Sequence, residues 1–160
     1  MRLTLSTDYA LRTLIYVGAR GEAIATIAEV AQSFGVSKTH LMKVVNRLAR
    51  QGYLETVRGK GGGLRLGRAA STIRVGDVVR DVEDDLAVMG CLASGGEFSC
   101  RIQGCCVLRR ALAEATRAFL AVLDDYTVAD LLAPSARLAR SLGLGRGARR
   151  AAVDPGLGSA

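Results

Sequence analysis

The order of apolar and polar side chains predicts two short amphipathic helices at the start of the chain. After Thr7, which can cap a helix, apolar residues recur at helical spacing over about residues 8–20. Thr26 and Glu29 have the spacing of a capping box, and further apolar positions at helical spacing follow them. Gly35 is placed to end this second helix, because glycine readily adopts the left-handed conformation of a helix terminus.

A third predicted helix follows a tight turn and has a basic outer face. It begins after Ser37, ends near Gly52 and has an apolar face formed by Leu41, Val45 and Leu48. The opposite face carries Thr39, His40, Lys43, Arg47 and Arg50. Two short helices joined by a turn that contains glycine, the second with outward-facing cations, are typical of a helix-turn-helix motif.

The next segment predicts a β-hairpin of the kind called a wing. Residues 53–57 and 64–66 are predicted as its two strands, and residues 58–63 between them read Arg-Gly-Lys-Gly-Gly-Gly. Glycine allows a close approach to a phosphate backbone, and Arg58 and Lys60 place charge at the tip. A nucleotide-binding phosphate loop would instead need Ser or Thr after Gly-Lys, at the start of a helix.

The second half of the chain predicts a short helix, a long loop and a long helix. Residues 73–83 are predicted as a helix that packs on the winged unit, and its acids, Glu83 included, are expected to begin a solvent-facing stretch. Residues 84–104 lack periodicity and are predicted as a loop. From Leu108 to Val122 apolar residues recur at intervals of four and three, which predicts a helix paired with the same helix of a second subunit.

The end of the chain predicts one more helix and a tail. Thr127 can cap a short helix that runs through Ala133, before Pro134. From Pro134 to Ala160 the sequence has no periodicity and carries five arginines against one acid. This composition predicts a disordered basic tail.

Basic charge is concentrated in the predicted helix-turn-helix and wing. The 160 residues carry a net charge of +7, and residues 36–68 alone hold eight basic side chains and one acidic one. Such a patch attracts polyanions, which predicts nucleic acid as the partner and makes an acidic electron carrier a poor fit. No apolar run approaches the roughly 20 residues of a membrane span, so we expect a cytoplasmic protein without membrane contact.

Four cysteines follow the winged unit, at Cys91, Cys100, Cys105 and Cys106. In a reducing compartment they are expected to bind metal or act as redox groups. Their wide, loop-borne spacing suits an iron–sulfur cluster, while a zinc site and a thiol switch remain open. Adjacent Cys105 and Cys106 would project about 100° apart on a helix, so three cysteines are expected to serve. Cys105 extends the apolar seam of the long helix, which predicts a buried structural thiol.

Several segments resemble the Rrf2 family of winged-helix regulators. They are Met1-Arg-Leu-Thr4, Thr7-Asp-Tyr-Ala-Leu-Arg12, His40-Leu-Met-Lys-Val-Val45, Gly52-Tyr53, Arg58-Gly-Lys-Gly-Gly-Gly63 and Gly76-Asp-Val-Val-Arg80. The resemblance covers about residues 1–133 in register. Within the family the chain most resembles the NsrR type, whose members are nitric-oxide-sensing repressors.

The resemblance implies one [4Fe-4S] cluster per subunit, with [2Fe-2S] as the alternative. Three loop cysteines and an aspartate of the partner subunit hold the cluster in the NsrR type. Carried over, these ligands are Cys91, Cys100, Cys106 and Asp8, and Arg12 is expected to position the carboxylate. From the residues alone, Asp8 and Arg12 form a helix-stabilising ion pair.

Two sister branches differ at single residues. IscR-type members use a histidine just after the third cysteine, whereas the one histidine here is His40, in the third predicted helix. RirA-type iron sensors share the three cysteines but have asparagine at the position of Asp8. The eight residues between Cys91 and Cys100 form a longer insert than the NsrR type suggests.

The predicted fold class is therefore mainly α with a small β-wing, a winged helix-turn-helix domain plus a long dimerisation helix. The expected divisions are a DNA-binding domain at 1–83 whose first helix also contributes to the dimer, a cluster-binding loop at 84–106, a dimerisation helix and short helix at 107–133, and the tail at 134–160.

The expected function is that of a repressor, not an enzyme. A homodimer would bind a near-palindromic operator and release it when nitric oxide reacts with the cluster. The expected DNA contacts are Ser37, Lys38, Thr39, His40, Lys43 and Arg47 on the third helix and Arg58 and Lys60 in the wing. The alternatives are an iron-sensing or redox-sensing regulator of the same family, a metal-free thiol-switch regulator, and an iron–sulfur electron carrier.

Overall fold

Helices dominate the computed structural model, which describes residues 2–93 and 99–144. In these residues the helices are α1 Leu5–Ala19, α2 Ile27–Phe34, α3 Lys38–Arg50, α4 Val75–Val82, α5 Val107–Asp124, α6 Val128–Leu132 and α7 Ser135–Ser141. The two strands are β1 Leu54–Val57 and β2 Gly63–Leu66, and short 3-10 turns lie at Ala70–Thr72 and Gly90–Leu92. The predicted fold class, mainly α with a small β-wing, is confirmed.

Local signals in the sequence account for the helix-turn-helix. Both hydrogen bonds of the capping box are present at the start of α2, where Thr26 and Glu29 bond reciprocally. Gly35 ends α2 with a φ of 62°, a left-handed conformation that glycine adopts without strain. Ser37 is the N-cap residue of α3, although its side chain makes no capping hydrogen bond. The turn between α2 and α3 is therefore short and fixed at its first end.

The wing is tied to the segment before α2. β1 and β2 pair antiparallel, with Leu54 opposite Leu66. The Ala25 N–H donates to the Leu64 carbonyl at 3.0 Å, and the Leu64 N–H donates to the Ala25 carbonyl at 2.7 Å. A Cβ at Gly63 would collide with the Ala25 carbonyl, so this close approach requires glycine. The hairpin thus has a fixed position beside α2.

The core lies between α1, α3, α4 and the base of the wing. Its largest fully buried side chains include Leu14, Leu41, Leu48, Tyr53 and Val78. The apolar face of α3 is therefore inside, and its polar face is left for solvent. None of the helices in the described part of the chain has both the length and the apolar character needed to cross a membrane.

The start of α1 differs from the prediction. The helix begins at Leu5, not near residue 8, and Thr4 caps it in place of Thr7. The Thr7 hydroxyl is buried and donates to Glu83 Oε1 at 2.6 Å. Glu83 was expected to face solvent, but it is only 8% exposed, and its carboxylate also accepts from the Thr4 N–H at 2.7 Å.

The long helix α5 is attached to the rest of the chain near its C-terminal end. Arg80 on α4 donates to Asp124 on α5 through two hydrogen bonds, of 2.7 and 2.6 Å. The Arg80 guanidinium holds the pKa of Asp124 below its usual range. No residue of α5 is fully buried in the single chain. This helix therefore presents most of its surface to solvent.

Part of the predicted tail is ordered. Residues 135–141 form α7. Leu142 and Leu144, which follow it, are apolar and pack against the core, where they are partly buried. The Ser33 hydroxyl on α2 donates to the Leu142 carbonyl at 3.3 Å. The prediction of a disordered tail is wrong for this segment. Residues 145–160, with the remaining arginines of the predicted tail, lie outside the described residues.

We expect Thr7→Val to lower the free energy of unfolding by about 2 kcal/mol, because it removes a donor to the buried Glu83 carboxylate without changing side-chain volume. Urea denaturation followed by circular dichroism measures the change. Ser6→Ala, at the neighbouring exposed position, is the control. Equal unfolding midpoints for the two variants would contradict the assigned role of Thr7.

Candidate nucleic-acid interface and metal centre

The exposed face of α3 carries the polar residues that the sequence pattern singled out. Ser37, Lys38, Thr39, His40 and Lys43 are all exposed. The buried residues of the same helix are Leu41, Val44, Val45 and Leu48. Because the buried side fixes the orientation of α3, its first two turns present hydrogen-bonding groups and positive charge to solvent.

The wing adds two further exposed cations. Arg58 and Lys60 lie in the turn between β1 and β2 and are exposed. Gly59 and Gly61 have φ angles of 97° and 83°, so this turn needs glycine on both sides of Lys60. Arg65, by contrast, pairs across the strands with Glu55 through two hydrogen bonds of 2.9 Å. The charge of the wing is therefore concentrated at its tip.

Arg47 differs from the other predicted DNA contacts. Its Nε donates to the Asp81 carbonyl at 2.7 Å, and its Nη1 donates to Asp84 Oδ1 at 3.0 Å. The guanidinium thus lies against the end of α4. The sequence pattern placed Arg47 on the polar face of α3 but gave no sign of these partners, which are 34 and 37 positions away.

The first turn of α5 joins two cysteine-bearing segments. Cys106 is the N-cap residue of α5, and its Sγ accepts from the Arg109 N–H at 3.4 Å. The Arg109 Nε donates to the Cys91 carbonyl at 3.2 Å. Cys91 lies in the 3-10 turn Gly90–Leu92. Arg109 was not predicted as a site residue, although its position three residues after a cap is a signal that could have identified it.

A cavity of about 450 Å³ lies beside this junction. Cys105, Cys106, Arg109 and Arg110 are among its lining residues. The prediction of Cys105 as a buried thiol is wrong: it lies in the turn before α5, is exposed, and its Sγ donates to the Ile102 carbonyl at 3.6 Å. Cys105 does not extend the apolar seam, because the helix begins two residues after it.

Asp8, the proposed carboxylate ligand, lies on a different element from the junction. Asp8 is on the first turn of α1, where its Oδ1 accepts from Arg12 Nε at 2.8 Å and its side chain is 41% exposed. Across residues 2–93 and 99–144, no three His, Cys, Asp or Glu side chains are grouped closely enough to hold a metal ion. All four cysteines are free thiols. The single chain therefore brings the Cys91 and Cys106 segments together without gathering a full ligand set.

A helix-turn-helix with a basic outer face and an adjoining glycine-rich wing defines the molecule as a winged-helix DNA-binding protein. The model of the Rrf2 family, described as iron-dependent transcriptional regulators, matches residues 3–134, and the chain belongs to this family. It is therefore a transcriptional regulator and not an enzyme. Rrf2 regulators bind DNA and are typically dimers.

Solved structures of similar fold include IscR of T. potens, with a TM-score of 0.67 at 23% identity over 84% of this chain and 88% of the other. CymR of B. subtilis, described as the global cysteine regulator, gives 0.67 at 24% identity over 84% and 98%. The oxidized form of CymR from Staphylococcus aureus gives 0.62 at 24% identity over 82% and 95%. At these identities the likeness establishes the fold alone.

We expect Lys43→Ala to weaken binding to a duplex that the wild-type protein has selected from a random-sequence library. If Lys43 contacts a phosphate, the slope of log affinity against log salt falls by about one unit. Fluorescence anisotropy at several salt concentrations measures both quantities. Arg117→Ala, an exposed charge change on α5, is the control. Unchanged affinity and slope for Lys43→Ala would remove this residue from the interface.

Proposed function

We propose that the chain is an iron–sulfur-dependent repressor of the NsrR type, which releases its operator in response to nitric oxide. The observation that carries the proposal is the junction at the start of α5. There Arg109 bonds to both Cys106 and the Cys91 backbone, next to a cavity of about 450 Å³. Cys106 lines this cavity, and so does Leu92, the residue that follows Cys91, so two of the proposed ligands belong to segments that border a space large enough for a polynuclear centre.

The chemistry of the donor set suits such a group. Cys106 lies at the N-terminus of an 18-residue helix, where the helix dipole favours negative charge. Thiolates are the preferred protein ligands of iron–sulfur clusters, and these clusters are anionic with thiolate ligands. Cys91, Cys100 and Cys106 would hold the [4Fe-4S] cluster, or a [2Fe-2S] cluster in the alternative. A bound cluster would supply iron atoms that react with nitric oxide.

Asp8 of the partner subunit would complete the ligand set. Its carboxylate is partly exposed and held by Arg12, so it has a defined position and remains accessible to a second copy. A carboxylate is a harder ligand than a thiolate and binds cluster iron more weakly. Asp8 would thus be the most weakly held ligand of the set.

Dimerisation would use the exposed apolar residues of α5. Val107, Leu108 and Val122 on this helix are each more than half exposed in the single chain. Paired α5 helices would place two α3 helices on successive major grooves of a near-palindromic operator. Ser37, Lys38, Thr39, His40 and Lys43 would face the bases or phosphates, and Arg58 and Lys60 would reach the flanking backbone or minor groove.

A metal-free thiol-switch regulator is the second candidate. It is favoured by the four free thiols, by the exposed Cys105 beside Cys106, and by the oxidized form recorded for the CymR structure. An iron-sensing or redox-sensing regulator with the same cysteine ligands is the third. An IscR-type site is less well supported, because it needs a histidine near the third cysteine. His40 lies on the exposed face of α3 and is not among the residues that line the cavity at the start of α5.

The ligand assignment predicts opposite results at two neighbouring cysteines. Anaerobically purified Cys105→Ala should contain as much iron and sulfide as the wild-type protein, whereas Cys106→Ala should lose both. Iron and acid-labile sulfide assays measure this directly. Loss of the cluster in Cys105→Ala alone would overturn the assignment, and an iron-free wild-type protein would favour the thiol switch.

The response to nitric oxide is tested on the wild-type protein that contains the cluster. Nitric oxide should change the visible spectrum and lower the affinity for the selected duplex in the same titration. A chelator that removes iron and releases DNA, with no response to nitric oxide, would instead favour the iron-sensing alternative.

The position of Asp8 across the subunits is tested with mixed dimers. One chain carries Asp8→Ala, the other carries Cys106→Ala, and two affinity tags isolate the mixed species. Donation from the partner subunit leaves one intact site, so each dimer should hold about half the iron of the wild type. No iron would place Asp8 in the site of its own chain, and full iron in the Asp8→Ala homodimer would exclude it as a ligand.

A further inference from the structure

The last residues of α4 and the first residues of the cysteine-bearing loop are bonded to three other elements. Tyr53, at the base of the wing, donates to Asp81 Oδ2 at 2.6 Å. Arg47 on α3 donates to the Asp81 carbonyl and to the Asp84 carboxylate. The Glu83 carboxylate accepts from Thr4 and Thr7 at the start of α1. Residues 81–84, here called the α4 exit, therefore contact α1, α3 and the wing at once.

Arg47 makes the only direct link from α3 to this segment among the side-chain hydrogen bonds of the described residues. The Asp81 carbonyl belongs to the last turn of α4, where carbonyls lack helical partners and a cation is stabilising. Its 2.7 Å bond to Arg47 Nε satisfies one of them. The same guanidinium reaches Asp84, which is 92% exposed. The Arg47 side chain is thus hydrogen-bonded both to the end of α4 and to the start of the cysteine-bearing loop.

Tyr53 gives the α4 exit a second attachment near α3. The residue is buried, and its burial and the neighbouring Asp81 carboxylate raise the pKa of the Tyr53 hydroxyl. The hydroxyl therefore stays protonated and donates. Arg68 lies over the same ring, with its guanidinium carbon 4.3 Å from the ring centroid. The end of α4 is consequently fixed relative to β1 as well as to α3.

We propose that Arg47 is a positioning residue for DNA recognition, which acts through Asp81 and Asp84 and couples the orientation of α3 to the start of the cysteine-bearing loop. The Arg47 guanidinium donates hydrogen bonds to the Asp81 carbonyl and the Asp84 carboxylate, whereas Lys43 on the same helix is exposed to solvent. The regulatory part of this proposal, that the state of the loop reaches α3 by this route, rests on the proposed function.

Removing the charge of Asp84 distinguishes a positioning role of Arg47 from a direct contact between Arg47 and a DNA phosphate. Removing an acid near a DNA-binding surface makes the surface more positive, so electrostatics alone would strengthen binding to any duplex. If Asp84 instead holds Arg47 and α3 in position, its loss weakens binding to the correct sequence and leaves binding to other sequences unchanged or stronger. The ratio of specific to nonspecific affinity therefore distinguishes the two roles.

The experiment compares Asp84→Asn with Asp85→Asn in the protein as it is isolated without air, with or without a cluster. Asp85 is the matched control, because it carries the same charge next to Asp84 but its carboxylate accepts only from the Ala87 N–H among the described residues. Affinities are measured for the duplex selected by the wild type and for a scrambled duplex of equal length. We expect the specific-to-nonspecific ratio to fall about threefold in Asp84→Asn, the size of one exposed ion pair, and to stay constant in Asp85→Asn.

A second measurement tests Arg47 itself. Arg47→Ala should lower the specific affinity while the salt slope stays at the wild-type value, in contrast to the loss of about one unit expected for Lys43→Ala. A salt slope reduced in Arg47→Ala as in Lys43→Ala would make Arg47 a phosphate contact and overturn the proposal. Equal ratios of specific to nonspecific affinity in Asp84→Asn and Asp85→Asn would also overturn the proposal.

The two proposals fail in different ways. The comparison of Asp84→Asn with Asp85→Asn uses the form in which the wild-type protein is isolated, so it stands even if that protein binds no iron. If the protein binds a cluster, its affinity for the selected duplex can be compared with and without the cluster. We expect this difference in affinity to be smaller in Asp84→Asn than in Asp85→Asn. An equal difference in both variants would overturn the regulatory part of the inference and leave the ligand assignment untouched.

Discussion

The position of the candidate site depends on one buried carboxylate. Glu83 is nearly inaccessible, and a carboxylate in such a place is stable only when hydrogen bonds replace its lost hydration. Thr4 and Thr7 supply these bonds and are 79 and 76 residues distant in sequence. Because Asp8 follows Thr7 and the cysteine-bearing loop follows Glu83, this interaction joins the helix that carries the proposed carboxylate ligand to the loop that carries the cysteines.

The features that the sequence predicted correctly are those determined within a few residues. The capping box of α2, the glycine that ends it and the amphipathic face of α3 each depend on side chains within one or two helical turns. The hairpin also follows from local composition, since glycines flank Lys60 where the backbone has positive φ. The outward orientation of Lys43 could therefore be derived from periodicity alone.

Several features that the local pattern did not reveal concern residues whose partners are distant. Thr7 has a good capping sequence, but a hydrogen bond to Glu83 outweighs that local role. Arg47 shares the polar face of α3 with Lys43, yet only the tertiary fold places the end of α4 beside it. The segment 135–144 lacks periodicity, and it is ordered because Leu142 and Leu144 pack on a core formed by other helices. Long-range contacts of this kind leave no signal in local pattern.

A second subunit would resolve two deficits of the single chain together. α5 has large apolar side chains in solvent, which is unfavourable for an isolated helix surface. The metal-ligating side chains of the described residues are also not grouped into a site. Both deficits involve α5, because its N-terminus carries Cys106 and two of its exposed apolar residues, Val107 and Leu108, lie at that end. If paired α5 helices bury the seam, they also fix where a partner's Asp8 lies relative to Cys106, so dimerisation and ligand assembly become one structural event.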